Sequence, residues 1–217
     1  QSVKIDSDDV VRNTSEAKNQ DSCIASGLTL YAWESYDIAG ALEGIYASVI
    51  DATSGAVFQS ATLIDATAIN PRCIRLGPSP TLVYLDTSAS PYVMKTVQVD
   101  INNPIAFNSS NTIISTVNAT NPTYDVAINS ADADAGNAVF AYNSSASNTL
   151  GVGYIATNGV VGGPPTGFPS TVTVGSTNSN DLITICTDQV NTDPTEAERI
   201  YVAYSSRTAS AGLKIKR

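Results

Sequence analysis

The residue types that most often perform chemistry in proteins are sparse in this chain, and histidine is absent altogether. Without histidine there is no Ser-His-Asp triad, no imidazole metal ligand and no side chain whose ordinary pKa lies near neutrality. No glycine-rich motif of the kind that cradles phosphates occurs, so nucleotide binding has no support. The sequence therefore predicts a protein that is not an enzyme, has no catalytic residues and needs no cofactor.

Two carboxylates come close to a metal-binding pattern. Asp132 and Asp134, followed by Gly136, resemble the first half of a calcium loop. A complete loop needs further oxygen ligands and a bidentate acid near its end, and none follows here. We interpret the segment as a hairpin turn and expect no metal, with these two aspartates as the only ligand candidates. Because glycoside hydrolysis needs only two facing acids, a propeller-type glycan hydrolase stays open as a third class of function.

The three cysteines, Cys23, Cys73 and Cys186, are an odd number at wide spacings. No Cys-x-x-Cys pair occurs, so the pattern is neither a zinc site nor a disulfide framework. We expect reduced thiols on buried strands. A single Cys23–Cys73 disulfide is the alternative.

Composition indicates the scaffold that must position any functional group. Only 14% of the 217 residues are charged, and Val, Ile, Thr and Tyr alternate with Gly, Pro and Asn as in strands joined by turns. The predicted fold class is all-β. A net charge of −9 argues against nucleic acid as a partner, since the phosphate backbone attracts basic surfaces. No apolar run approaches about 20 residues, so no membrane span is expected.

A strand-like motif occurs four times along the chain. It begins as Thr29-Leu30-Tyr31-Ala32-Trp33-Glu34 and recurs near residues 81–86, 138–143 and 200–205. The alignment makes four residues equivalent, and we expect these structural anchors to be buried between neighbouring sheets: Trp33, Leu85, Tyr142 and Tyr204. Repeats of this length predict stacked supersecondary units rather than one continuous sheet.

Apolar runs flank each copy of the motif, so each unit is predicted to contain strands a, b, c and d. The runs that begin at Cys23, Cys73, Val126 and Ile183 are the expected innermost strands. We predict a β-propeller-like array of about four four-stranded antiparallel blades, with a β-sandwich as the alternative. The predicted boundaries are an N-terminal segment at 1–21, which is a closing strand or a linker, and repeats at about 22–68, 69–118, 119–176 and 177–217.

The fourth copy ends before a strand d. Either the chain is a truncated piece of a longer protein, or an N-terminal segment such as Val3 to Val11 supplies the missing strand. The turn Asp51-Ala52-Thr53-Ser54-Gly55 between strands c and d is predicted to be a tight hairpin turn, with glycine available for positive φ.

The segments 31–33 and 45–55 resemble propeller repeats of tailed-bacteriophage virion proteins and of large bacterial surface proteins. The resemblance implies a structural and interaction module of a virion, in a tail nozzle, hub or fibre. Its expected partners are other virion proteins or a glycan or protein of the host surface, within a symmetric oligomer. The alternative is a secreted or cell-surface carbohydrate-binding propeller of a bacterium. Three tyrosines near loops are candidates for surface contacts, because tyrosine suits adaptable recognition: Tyr36, Tyr92 and Tyr124.

Overall fold

The computed structural model describes residues 16–102, 104–128, 137–146, 149–162, 171–173, 183–187, 200–206 and 212–216. These residues form strands and turns, and no membrane-crossing helix occurs among them. The strands are β1 (Glu16–Ala25), β2 (Leu28–Tyr36), β3 (Leu42–Asp51), β4 (Val57–Asp65), β5 (Ala68–Leu76), β6 (Ser79–Asp86), β7 (Tyr92–Asp100), β8 (Ala106–Phe107), β9 (Asn111–Val117), β10 (Tyr124–Ile128), β11 (Ala138–Asn143), β12 (Thr149–Ile155), β13 (Val161–Gly162), β14 (Thr171–Thr173), β15 (Ile183–Thr187), β16 (Ile200–Ser206) and β17 (Gly212–Lys216).

The strands pair in chain order into four separate antiparallel sheets, which we call blades. Blade 1 is β1 to β4, blade 2 is β5 to β9, blade 3 is β10 to β14, and blade 4 is β15 to β17 in the described part of the chain. The first strands of successive blades, β1, β5, β10 and β15, contact one another in that order. The predicted all-β propeller array is therefore confirmed, and the β-sandwich alternative is not.

Alternating burial explains which face of blade 1 packs on blade 2. In β2 the side chains of Leu28, Leu30 and Ala32 join one core with residues of blade 2. Because successive side chains of a strand point to opposite faces, Tyr31 and Trp33 lie on the other side of blade 1.

The first blade begins earlier than the predicted start of the repeats at residue 22. Its strand β1 begins at Glu16, six residues before that boundary. The predicted closing segment Val3 to Val11 lies outside the described residues.

The predicted hairpin turn after β3 is present. The Asp51 side chain accepts hydrogen bonds from the backbone N–H groups of Thr53 and Ser54, at 2.9 and 2.6 Å. Gly55 closes the turn with φ at 74°, a conformation that glycine adopts without strain. The backbone bonds of Ser54 and Thr53, led by that of Ser54, lower the pKa of Asp51.

Leu85 is buried between blades as predicted, but it is not the equivalent of Trp33. It lies in the core between blades 2 and 3. Tyr84, its neighbour, lies in the core between blades 1 and 2. The equivalent of Trp33 in blade 2 is Tyr84. The first hairpin closes with Ala25 paired to Leu28, and the second with Leu76 paired to Ser79. Trp33 comes five residues after Leu28, and Tyr84 comes five residues after Ser79. Equating Leu85 with Trp33 shifts the alignment of β6 by one residue, and such a shift reverses the face assigned to every side chain in the strand.

Tyr142 and Tyr204 are buried between blades as predicted, each on the face that meets the preceding blade. Trp33 differs from both. It is only half-buried, and its ring stacks on Tyr46 with centroids 6.3 Å apart and an interplanar angle of 21°. The expectation that Trp33 fills a space between blades is wrong, because its face of blade 1 meets no other described blade.

Candidate functional site at the inner strands

Four polar residues occupy the same position on the innermost strands. Each lies opposite an equivalent residue of the second strand in its blade: Asp21 opposite Ala32, Arg72 opposite Val83, Asp125 opposite Ala141, and Thr184 opposite Ala203. We call Asp21, Arg72, Asp125 and Thr184 the axial ring. Since the first strands lie side by side around the axis, the fold gathers these four side chains from segments that are far apart in sequence.

A backbone irregularity precedes the ring position in the first two blades. Asn19 has φ at 48° and Asn70 has φ at 54°, and both lie two residues before a ring residue. The strand register shifts at the same places, between residues 18 and 21 and between 69 and 72. Asparagine tolerates the left-handed region better than most residues. Bulges of this kind re-aim the side chains that follow them, and they recur beside functional sites.

The two ring carboxylates join neighbouring blades. Asp21 Oδ2 accepts a hydrogen bond from the backbone N–H of Cys73 at 2.9 Å. Asp125 Oδ2 accepts one from the N–H of Ile185 at 3.1 Å and another from the Thr184 hydroxyl at 2.9 Å. Each bond crosses from one blade to the inner strand of the next. The carboxylates are thus held in place before any ligand arrives, and their remaining lone pairs can still accept.

Arg72 is held more loosely than the two ring carboxylates. Its Nη1 donates to the Pro71 carbonyl at 3.1 Å, and its Nε lies 3.9 Å from Asp125 Oδ1. The Arg72 side chain is 40% exposed, against 22% for that of Asp125. A guanidinium carries five N–H donors, and among the described residues Arg72 uses one in a hydrogen bond and directs another toward Asp125.

Buried hydrogen bonds hold the backbone at Asn70, two residues before the ring residue Arg72. Glu34, 1% exposed, accepts from the backbone N–H of Asn70 at 2.6 Å and from the Tyr36 hydroxyl at 2.8 Å. Tyr124 of blade 3 donates to the carbonyls of Asn70 and Val83 in blade 2. Blades 1, 2 and 3 therefore all meet at the Asn70 bulge, which fixes the backbone that carries Arg72.

Burial changes the acidity of the tyrosines in this network. Desolvation raises the pKa of Tyr124 well above its usual value, and Tyr124 stays a hydrogen-bond donor. Desolvation, together with the hydrogen bond to Glu34, raises the pKa of Tyr36 to about 12.

The predicted surface tyrosines have different surroundings. Tyr124 is fully buried, so its assignment as a surface contact is wrong; its loop-like sequence context hides a strand start packed under the ring. Tyr36 is half-buried, with the Lys18 ammonium 4.6 Å from its ring centroid. Tyr92 is half-buried against the core between blades 2 and 3.

Asp132 and Asp134 lie outside the described residues, and no group of acidic or cysteine side chains within the described residues could hold a metal.

The sequence prediction missed the axial ring because its members share no residue type. Two signals could have revealed it. The first is the spacing of Asn19 and Asn70, each two residues before a ring position. The second is the tight turn that follows the inner strand in blades 1 and 2, which fixes the register when these strands are aligned from the turn and not from an aromatic residue.

A concave region lies on blade 1, and its lining includes Ser22, the residue that follows the ring member Asp21. It has a volume of about 660 Å³ and is lined by Tyr31, Thr29, Ile24 and the turn at 51–55. Asp51, the carboxylate there, already caps its own turn.

Three solved structures that this chain resembles are named as a hydrolase, an arabinofuranosidase and an arabinanase. The chain is similar to a GH62 hydrolase in complex with xylotriose, with a TM-score of 0.51 and 11% identity over 98% of this chain and 68% of that one. It is also similar to the α-L-arabinofuranosidase PaAbf62A from Podospora anserina in complex with cellotriose (TM-score 0.49, 12% identity, covering 97% and 66% of the two chains). A third is an exo-1,5-α-L-arabinanase from a bovine ruminal metagenomic library (TM-score 0.45, 8% identity, 94% and 71%). No family model matches the chain, and no curated protein does.

These findings correct the functional prediction. A non-enzymatic module of a phage tail was expected, but the propeller that this chain resembles over nearly its whole length is a glycoside hydrolase. The likeness gives no support to a virion location or to host attachment by a tail. It agrees better with the alternative drawn from the sequence, a carbohydrate-binding propeller. The expectation that the chain is not an enzyme is overturned by the same finding. At 11% identity, the fold is what the likeness establishes.

Proposed function

We propose that this chain is a carbohydrate-recognition propeller, secreted or on a cell surface, whose ligand binds at the axial ring. The observation that carries the proposal is the convergence of Asp21, Arg72, Asp125 and Thr184 at one position on four adjacent inner strands. Sugar hydroxyls both donate and accept hydrogen bonds. A ring with carboxylate acceptors, guanidinium donors and a hydroxyl supplies both kinds of partner.

Charge narrows the class of glycan. The ring holds two carboxylates and one guanidinium, and the whole chain has a net charge of −9. An anionic glycan would be repelled by both, since like charges disfavour association. A neutral oligosaccharide is the better fit. Xylotriose is the appropriate first probe, because the similar GH62 hydrolase was solved with that sugar bound.

The test is calorimetric titration of the chain with xylotriose and with arabinose-substituted xylo-oligosaccharides. Arg72→Gln should weaken binding at least about tenfold, because a lost hydrogen bond to a charged group costs about 1.5–3 kcal/mol. The matched control is Arg75→Gln on the same strand, an exposed arginine that bonds only the Gly77 carbonyl among the described residues. Equal binding by the two variants, or no binding of neutral oligosaccharides by the parent chain, would refute the proposal.

A second candidate function is hydrolysis of the bound glycan, favoured by the two carboxylates on the ring. Glycosidases act through a pair of carboxyl groups that flank the scissile bond. Asp21 and Asp125, carried by the inner strands of blades 1 and 3, would be that pair. If they act in this way, Asp21→Asn or Asp125→Asn should lower the release of reducing sugar by about 10²- to 10⁴-fold. Oligosaccharides that bind but remain intact after prolonged incubation would leave recognition alone as the function.

A further inference from the structure

The thiols of Cys23 and Cys73 face each other across the boundary between blades 1 and 2. Cys23 lies on β1 and Cys73 on β5, and both contribute to the core that these two blades share. Their sequence positions are about 50 residues apart, and no backbone strand pairing joins their two sheets. A bond between them would therefore link two otherwise separate sheets.

The hydrogen bonds of the two thiols cross over each other. The Cys23 thiol donates to the carbonyl of Ile74, the residue after Cys73, at 3.2 Å. The Cys73 thiol donates to the carbonyl of Asp21, two residues before Cys23, at 3.4 Å. In addition, the N–H of Cys73 is held by the Asp21 side chain. Each sulfur is thus directed at the strand that carries the other sulfur.

The two thiols differ in access. Cys73 is buried, whereas Cys23 is half-buried, and Cys186 is the exposed member of the three. Hydrogen bonding with the Cys23 thiol, together with burial, raises the pKa of the Cys73 thiol well above its ordinary value. Since Cys23 is the more accessible thiol of the pair, it is the one of the two that an external disulfide reaches first.

We propose that Cys23 and Cys73 form a reversible disulfide that staples the inner strands of blades 1 and 2, with a small-molecule disulfide such as oxidised glutathione as the oxidant. The Cys23 thiolate attacks one glutathione sulfur, forms a mixed disulfide and releases one glutathione thiolate. The Cys73 thiolate then attacks the Cys23 sulfur, forms the internal bond and releases the second glutathione. Both thiol protons pass to the released glutathione, so two protein thiols are oxidised and one disulfide is reduced.

The staple lies next to the axial ring. Cys73 directly follows Arg72, and Cys23 comes two residues after Asp21. Oxidation would fix the relative positions of these two ring residues covalently, in addition to the hydrogen bond that already joins their strands. The proposal does not depend on what the ring binds, since its readouts are the mass and the thermal stability of the protein.

The experiment uses the full chain with Cys186→Ser, which leaves only the pair. After incubation of the folded protein with oxidised glutathione, we expect the mass to fall by two hydrogen atoms. After digestion, the peptides that contain Cys23 and Cys73 should be linked until a reductant is added. The melting temperature should rise by at least about 5 °C, because a cross-link closing a loop of about 50 residues restricts the unfolded chain.

The matched control adds Cys73→Ser to the same protein. There, oxidised glutathione should add one glutathione to Cys23 and leave the melting temperature nearly unchanged. The proposal fails if the parent pair carries glutathione without an internal bond, if linkage forms only between chains, or if the internal bond does not raise the melting temperature. Should the Cys73→Ser protein not fold, the mass and peptide data on the parent pair decide the question alone.

Discussion

The two interfaces that blade 2 makes are built on different physical principles. Toward blade 1, the core consists mainly of small aliphatic side chains such as Leu30, Ala47 and Leu82. Toward blade 3, it contains aromatic rings, among them Phe140 and Tyr142, whose centroids are 5.9 Å apart. The first interface also includes a buried carboxylate, Asp86, at its margin.

Carboxylates mark the first interface. Asp86 is 6% exposed and lies 2.7 Å from the Lys95 ammonium, which is also 3.8 Å from Asp65 of blade 1. Burial alone would raise the pKa of Asp86. Hydrogen bonds from Lys95, Ser88 and Thr67 outweigh that effect and hold the pKa of this carboxyl well below its ordinary value.

Glycines mark the second interface. Phe140 and Tyr142 lie flat across β12, opposite Gly153 and Gly151. A Cβ at either glycine would overlap the ring that faces it. Both rings are enclosed, so they have no open space into which they could move. The stability of the first interface should therefore vary with pH, whereas that of the second should vary with side-chain volume.

A large effect is expected for Gly153→Ala in the second interface. The new Cβ would collide with Phe140 Cζ and lie 2.6 Å from its Cε1, so the ring or the strand must shift. Overpacking of this kind costs about 1–3 kcal/mol, and we expect the upper end because Phe140 is fully buried. Chemical denaturation measures the loss. Phe140→Leu in the same protein should restore part of it, and strictly additive losses would show that steric contact is not the cause.

An intermediate effect is expected for Lys95→Met in the first interface. At pH 7 the loss should be about 2 kcal/mol, since Asp86 would keep its burial and lose its strongest charged donor. The pKa of Asp86 is lower in the folded protein than in the unfolded chain, where it is about 3.9, so its ionised carboxylate stabilises the fold above that pH. This contribution is lost as the pH falls toward the folded-state pKa. The gap between parent and variant should therefore narrow below about pH 4.

Denaturation curves at several pH values measure this gap. The control is Lys18→Met, which removes an exposed pair with Glu16 and a contact with the Tyr36 ring, and should cost at most about 1 kcal/mol at any pH in this range. A gap that stays constant from neutral to acid pH would contradict the assignment to Asp86.

The smallest effect is expected for Trp33→Ala, on the outer face of blade 1. Trp33 is half-buried and has one ring partner, so its loss should cost about 1 kcal/mol, which is typical of an aromatic pair. Tyr84→Ala, at the equivalent position of blade 2, should cost about 3–5 kcal/mol because that side chain is 1% exposed between two blades. Similar melting temperatures for the two variants would show that the corrected register is wrong.

The sequence was sufficient to predict the blades, but not which side chains of a strand point toward which neighbouring blade. Short alternating runs and the turn at 51–55 indicated hairpins correctly, because strand periodicity and turn chemistry are local properties. The choice between Tyr84 and Leu85 was not local. Both are large and buried, and only contacts with blades 1 and 3 distinguish them.

The candidate site was beyond sequence reasoning for a related reason. Asp21, Arg72, Asp125 and Thr184 have nothing in common except their position, and position depends on strand register. Tyr124 likewise looked like a loop residue beside Asn121-Pro122. Its burial follows from the Asn70 bulge, to which its hydroxyl donates across the blade boundary.

The looseness of Arg72 has a consequence for how such a protein changes over generations. Asp21 and Asp125 each hold the backbone of the next blade, so replacing either one would weaken the fold along with the site. Arg72 reaches blade 3 only through an ion pair at 3.9 Å among its described contacts. Selection can therefore exchange this residue with little penalty to folding. New ligand preferences in this scaffold should arise first at position 72, and a designer who wishes to redirect the ring should begin there.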